Sequence, residues 1–172
     1  MEKITSKNLN IKLKNLLNKR GFVLDEEIDK FLNPKLSDML DPMKLTNMNF
    51  LKSRLTQAIT QNETIVIYGD YDADGICAST ILYKYFKSKN LSVNVVIPRR
   101  YEDGYGLKKE VIDDIADTYY PDLLITVDCG ITAIDEVEYI KELGIDVIVN
   151  DHHEPLNELT ACIVVDPKID KS

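Results

Sequence analysis

The chain has 172 residues, with 21 lysines and arginines against 29 aspartates and glutamates, and a formal net charge of −8. This length favours one domain with a real core, and 44% hydrophobic residues exclude a disordered or fibrous protein. No apolar run approaches the ~20 residues that span a bilayer, no signal-peptide core opens the sequence, and the three cysteines are widely spaced. We therefore expect a cytoplasmic protein without disulfides, and the acidic balance argues against binding nucleic acid by bulk charge.

The first sixty residues predict a helical leader. Apolar residues recur at helical spacing in residues 9–17 and 50–59, and Pro34 and Pro42 interrupt the segment between them. We expect this leader over residues 1–60 and a second unit over residues 61–172.

From residue 64 onward, short apolar strands alternate with helices. Strands are predicted over residues 64–70, 91–98, 122–130, 145–151 and 161–167, and helices near residues 75–88, 108–117 and 131–144. The near-continuous runs of Val, Ile and Leu are typical of strands that are buried on both faces. The pattern predicts an α/β fold with a doubly wound, mostly parallel five-stranded sheet.

Side chains that can bind metal follow three of the five predicted strands. Asp70 ends the first strand, Asp128 ends the third, and Asp151, His152 and His153 follow the fourth. In open parallel sheets the ligand lies beyond the carboxyl ends of the strands, so we expect these side chains to meet at one site.

The loop after the first strand places carboxylates at alternate positions, in Asp70, Asp72 and Asp74. Clustered carboxylates repel one another unless a cation or protons neutralise them. The pattern superficially matches an EF-hand calcium loop, but the twelfth position holds Ile81 where that loop needs a bidentate Glu. A solvated turn that caps the next helix is the remaining alternative.

The two histidines of the chain are adjacent, and Asp151 and Glu154 flank them. Imidazole is a common metal ligand, and its second nitrogen usually bonds to an acidic partner. Asp128 could cap a helix that starts near Thr132, or it could be a ligand shared by two metals. Oxygen-rich ligation with one or two imidazoles suits Mn²⁺ or Mg²⁺, and two such ions ~3.5–4 Å apart are typical of phosphoester hydrolysis.

Three segments carry a family resemblance. Residues 68–75 (YGDYDADG), 127–131 (VDCGI) and 150–155 (NDHHEP) resemble the first three motifs of the DHH phosphoesterases, and more narrowly of the RecJ-like exonucleases that act on single-stranded DNA. The resemblance covers nearly the whole chain, and its further segments are residues 31–34, 41–42, 97–100 and 104–107.

The resemblance implies 5′-to-3′ hydrolysis of single-stranded DNA in recombination and repair, with two Mn²⁺ or Mg²⁺ ions. It also implies a single-strand-binding protein or a helicase as partners. We expect no membrane partner and a monomer. The metal ligands that it implies are Asp72, Asp74, Asp128 and His152, with Asp128 bridging, and Asp70 is a further candidate.

The resemblance also implies roles beyond metal binding. The catalytic set would comprise Asp128, Asp151, His152 and His153, in which Asp151 orients the site and His153 contacts the scissile phosphate. Arg100 would be a further phosphate contact, although residues 99–101 taken alone favour a solvated basic turn. The residues themselves suggest that Gly104 and Gly106 let the backbone approach the phosphate.

Two departures bear on the function. Small members of the superfamily, which act on short oligoribonucleotides, cyclic dinucleotides or pyrophosphate, usually carry a His four positions before Asp72, where this chain has Tyr68. The family's fourth motif is a later Asp ligand, and Asp166 instead resembles a position where relatives carry Asn. We therefore expect a C-terminally incomplete catalytic domain that could be inactive alone. The alternatives are a non-catalytic fragment that needs a separate remainder and a small-nucleotide phosphodiesterase.

Overall fold

The structure is a computed structural model, and it describes residues 4–99, 104–156, 158–160 and 162–169. The chain divides into two compact units, Met1–Asp41 and Pro42–Ser172. The boundary after residue 60 stays a prediction. Among the described residues, no helix has both the length and the apolar composition that a bilayer crossing requires.

The first unit contains helices α1 (Ile11–Lys19) and α2 (Asp25–Leu32) and a 3-10 turn at Leu36–Asp38. Helix α2, which begins with an acidic first turn, was not predicted as a separate helix. In that turn the Glu27 carboxylate accepts a hydrogen bond from the Leu24 amide at 3.0 Å, which satisfies a donor that the helix leaves free. Ile28 is fully buried, and the rings of Phe22 and Phe31 lie 4.6 Å apart.

The second unit is the sheet domain. Its helices are α3 (Met48–Gln61), α4 (Ala73–Ser88), α5 (Lys109–Tyr119) and α6 (Ile134–Glu142), and a 3-10 turn spans Pro42–Lys44. Its strands are β1 (Ile65–Gly69), β2 (Val93–Val96), β3 (Leu123–Val127), β4 (Asp146–Asn150) and β5 (Ile163–Val165), in the order β2-β1-β3-β4-β5. All four strand pairings are parallel. The predicted five-stranded α/β fold is confirmed.

Both faces of the sheet are covered, because successive side chains of a strand point to opposite faces. Ile65 and Ile67 of β1 belong to a core that includes Ala58 of α3 and Phe86 of α4. Their neighbours Val66 and Tyr68 belong to a second core on the opposite face, which also includes side chains of α5 and α6. The continuous apolar runs that form β1 and β3 therefore reflect strands that are buried on both faces.

The chain leaves the two central strands in opposite directions. From β1 it passes through α4 to β2 on one side, and from β3 it passes through α6 to β4 on the other. Such a reversal opens a crevice at the carboxyl ends of the two strands, where ligands bind in open α/β sheets. The residues that follow these strands are Asp70 and Asp128, and the Asp70 amide still donates to the Val127 carbonyl oxygen at 3.2 Å.

Candidate metal centre

The acidic loop folds back on the start of α4. The Asp72 carboxylate caps this helix, because its Oδ1 accepts from the amides of Asp74 at 2.8 Å and Gly75 at 3.1 Å. A Cβ atom on Gly75 would lie 2.6 Å from the backbone nitrogen of Asp70, so only glycine allows this approach. The loop is therefore a helix cap, and this does not prevent its carboxylates from converging.

Asp128 is held at the end of β3 in an unusual conformation. Its φ of 62° is left-handed, and only 6% of the residue is exposed. It does not cap α6, whose N-cap position is Ala133. Instead, its Oδ1 lies 2.8 Å from Nε2 of His152. The helix-capping alternative for Asp128 was therefore wrong.

Asp151 fixes the conformation of the histidine loop. Its Oδ2 accepts from the Ile131 amide at 3.0 Å, and its Oδ1 accepts from the His152 amide at 2.7 Å and from Nδ1 of His153 at 2.7 Å. Burial opposes ionisation of this carboxyl, but these hydrogen bonds outweigh it and hold its pKa below the ordinary value. A hydrogen bond from Nδ1 orients the His153 ring and leaves Nε2 to meet a ligand.

Five of the predicted site residues form two groups that share Asp128. Asp70, Asp72 and Asp128 bring ligand atoms within 4.8 Å of one another, and so do Asp128, His152 and His153, although His153 was predicted as a phosphate contact and not as a ligand. Asp74 belongs to neither group, although it lines the same open cleft of about 500 Å³ as Asp128 and His152.

The donor set fits hard divalent cations. Oδ1 of Asp70 and Oδ2 of Asp128 are buried without a hydrogen-bond partner among the described residues. Buried carboxylate oxygens are costly when they are unpaired, and a cation would satisfy both. The two groups consist of aspartates and histidines alone, so they offer carboxylate oxygens and imidazole nitrogens without a thiolate. This composition suits Mn²⁺ or Mg²⁺.

Groups within the site shift one another's pKa values. Burial, together with the adjacent Asp72 carboxylate, raises the pKa of Asp128. The amide of Gly75 lowers the pKa of Asp72, and the Asp151 carboxylate raises the pKa of His153. Neighbouring carboxylates thus compete for ionisation, as expected where acidic groups are crowded together to bind a cation.

A second cleft, of about 420 Å³, lies beside His153. Tyr105, Gly106 and Lys108 form part of its lining, and the Tyr105 ring lies 6.3 Å from the His153 ring in an edge-on arrangement. Burial and the nearby carboxylates raise the pKa of Tyr105 to about 12. Gly106 and the preceding Gly104 both have positive φ values, 77° and 79°. The predicted phosphate contact Arg100 lies outside the described residues.

Several contributors to the site were not predicted from the sequence. Gly75 permits the close approach of α4, the Ile131 amide anchors Asp151, and the Tyr68 hydroxyl donates to the Gly106 carbonyl oxygen at 2.9 Å. The close approach of α4 could have been predicted, because a glycine directly follows the acidic run of the sequence. The other two depend on contacts between segments distant in the chain.

Comparisons with known proteins point to the same kind of site. The sequence of residues 64–172 matches the family model described as DHH family, N-terminal domain. The chain belongs to the DHH family. Its DHH domain thus covers all five strands and both groups of ligands.

Curated DHH relatives are named single-stranded-DNA-specific exonuclease RecJ. The Bacillus subtilis protein is 42% identical over 144 residues, which is 84% of this chain and 18% of the relative. The Escherichia coli protein is 33% identical over 159 residues, which is 91% of this chain and 27% of the relative. The chain therefore spans only about a fifth to a quarter of the length of these relatives.

Solved structures support the same family. A crystal structure of exonuclease RecJ bound to manganese matches 78% of this chain and 34% of its own, at 34% identity and a TM-score of 0.72. A complex of the Thermus thermophilus RecJ with Mn²⁺ matches 77% of this chain and 18% of its own, at 31% identity and a TM-score of 0.66.

Proposed function

We propose that this DHH domain carries the metal centre of an exonuclease that hydrolyses single-stranded DNA from its 5′ end with Mn²⁺ or Mg²⁺. One observation carries the proposal: two groups of ligands share the buried Asp128 in the crevice between β1 and β3. The names of the relatives and the metals in their structures support the substrate and the cofactor.

The two groups of residues would bind two cations. Asp70, Asp72 and Asp128 would hold one cation, and Asp128, His152 and His153 would hold or face a second, with Asp74 as a further predicted ligand. Bound divalent cations supply Lewis acidity and activate water for attack on a phosphodiester.

The protein's own contribution is orientation. Asp151 holds the His153 ring through Nδ1, so Nε2 is the atom placed to contact a phosphate oxygen at the scissile bond. Gly104 and Gly106 would let the backbone approach the phosphate beside His153. Arg100 is the cationic side chain that is predicted to contact the phosphate. Because positioning is lost when its anchor is lost, Asp151 acts through His153 and not on the substrate itself.

Hydrolysis of a 5′-labelled oligonucleotide in Mn²⁺ tests the proposal. Asp128→Asn keeps a residue that tolerates left-handed φ and removes the shared carboxylate, so we expect it to abolish nucleotide release. Asp117→Asn, on the exposed face of α5, is the matched control and should retain it. Equal activity of Asp128→Asn and the control would refute the metal assignment. No hydrolysis by the unaltered chain would support the non-catalytic alternative.

The small-nucleotide alternative is less well supported. Tyr68 stands where small members of the superfamily carry His, and it is a fully buried residue of the core. Comparison of a dinucleotide with a long single strand as substrates separates the alternatives. Preference for the dinucleotide would contradict our proposal.

We further propose a role in recombination and repair, in the cytoplasm, with a single-strand-binding protein or a helicase as partner. The three cysteines are free, which is usual for proteins of a reducing compartment. A monomeric state stays a prediction, and size-exclusion chromatography with light scattering would test it.

A further inference from the structure

A tight turn follows β5 at residues 166–169. Asp166 is fully buried, and its Oδ1 accepts a hydrogen bond from the Lys168 amide at 2.6 Å. The Ile169 amide donates to the Asp166 carbonyl oxygen at 3.3 Å. A short carboxylate that bonds to the backbone two residues ahead fixes a turn of this kind. The backbone that carries Lys168 is therefore well anchored.

This turn places a cation at the rim of the metal centre. Nζ of Lys168 lies 3.1 Å from Oε1 of Glu154, the residue that directly follows His153. Pro167, next to Lys168 in the chain, lines the cleft that also contains Asp128 and His152. The ammonium group thus stands beside the loop that carries both histidines.

The partner of Lys168 can be exchanged. The side chains of Lys168 and Glu154 are 43% and 73% exposed, and ion pairs so open to water are weak. A backbone phosphodiester carries the same single negative charge as Glu154 and likewise offers two oxygens that accept charge-assisted hydrogen bonds from an ammonium group, so it can replace Glu154 as the partner of Lys168. The surrounding carboxylates repel a polyanion, so a cation at the rim has a specific use there.

We propose that Lys168 contacts a backbone phosphate of the single strand beside the metal centre, and that Glu154 restrains Lys168 until the strand binds. This inference rests on the proposed function and adds to it a contact that lies on the turn after β5.

Salt-dependent binding tests the contact. A 3′-fluorescein-labelled oligo-dT strand is titrated by anisotropy between 50 and 200 mM KCl, with Ca²⁺ in place of Mn²⁺ to prevent turnover. Each phosphate contact on a single strand contributes about 0.7 to the slope of log K against log salt, which is about 2.6-fold over this range. Lys168→Ala should lower the magnitude of the slope by about 0.7. Lys52 is an exposed residue of α3, and Lys52→Ala should leave the slope unchanged.

A double-mutant cycle tests the restraint. Glu154→Gln should tighten binding several-fold when Lys168 is present and have no such effect in Lys168→Ala. An equal gain in both backgrounds would overturn the restraint, since it would reflect only the loss of a negative charge. Identical slopes for Lys168→Ala and the unaltered chain would overturn the contact.

Hydrolysis in Mn²⁺, measured in parallel, separates the two ideas. If the chain hydrolyses the strand and Lys168→Ala leaves both KM and the slope unchanged, the inference fails and the proposed function stands. If the chain neither binds nor hydrolyses the strand, both fail. A raised KM with unchanged kcat in Lys168→Ala supports the contact, because it marks the loss of binding alone.

Discussion

Gly75→Ala tests how the helix start positions the acidic loop. Gly75 lies in the first turn of α4, and alanine is ordinarily about 1 kcal/mol better than glycine inside a helix. Here, however, the added Cβ would lie 2.6 Å from the backbone nitrogen and 2.7 Å from the carbonyl carbon of Asp70. Ordinary contacts between such atoms begin at about 3.5 Å, so the backbone must move by roughly 0.9 Å.

The expected loss follows from these opposing effects. Overpacking costs about 1–3 kcal/mol, and we place this case at about 2–3 kcal/mol because the clashing atoms belong to the backbone, which cannot swing aside as a flexible side chain can. The helix gain offsets about 1 kcal/mol of this cost. We therefore expect Gly75→Ala to lower the free energy of unfolding by about 1–2 kcal/mol. For a chain of this size, that lowers the midpoint of thermal unfolding by about 2–8 °C. Because the shift displaces the backbone of Asp70, a candidate ligand, Mn²⁺ affinity should fall by roughly 10–100-fold, as when the support of a ligand is lost.

Two measurements decide this prediction. Circular dichroism gives the unfolding midpoint without metal, and electron paramagnetic resonance of free Mn²⁺ gives the affinity. Thr80→Ala, at an exposed position of the same helix, is the control and should be neutral or slightly stabilising. A Gly75→Ala chain that is as stable as Thr80→Ala and binds Mn²⁺ normally would refute the reasoning.

Three further predictions concern the surroundings of the site. Tyr68→Phe removes the hydrogen bond to the Gly106 carbonyl oxygen and should cost about 1 kcal/mol in urea unfolding. Mn²⁺ at one hundred times its Kd should stabilise the chain by about 2.7 kcal/mol in thermal unfolding, and Asp128→Asn should remove most of this gain. Burial raises the pKa of Asp166, so the stability that its neutral form provides is present below pH 3.8 and is lost as pH rises through the folded pKa. Asp166→Asn should therefore raise the unfolding midpoint at pH 7, and a gain that persisted undiminished toward pH 4 would contradict this assignment.

The sheet was predictable from the sequence because its strands are buried on both faces. Val, Ile and Leu then leave little room for other assignments, and each predicted strand overlaps an observed one. Helix α2 has apolar residues at helical spacing, Ile28, Phe31 and Leu32, but it is only eight residues long and ends just before Pro34, so this short pattern was assigned to the irregular connections of the leader. Helix α4 begins two residues earlier than predicted, since Asp72 caps it.

The candidate site was predictable in composition but not in arrangement. Strand ends of a parallel sheet must meet at one edge, so Asp70, Asp128 and the histidine pair could be placed together in advance. The sequence could not show that Asp74 lies outside both ligand groups, because that depends on the direction of the first turn of α4. It also could not separate capping from metal binding at Asp72, because the one carboxylate contributes to both.

The left-handed backbone of Asp128 makes this position unusually intolerant of change. Glycine and asparagine accept the backbone but offer no carboxylate, whereas glutamate offers the carboxylate on a side chain that makes left-handed φ costly. The two requirements therefore leave aspartate alone among the twenty residues. In a deep mutational scan for Mn²⁺ binding, we expect position 128 to tolerate no replacement, while position 117, an exposed aspartate of α5 outside the site, accepts several.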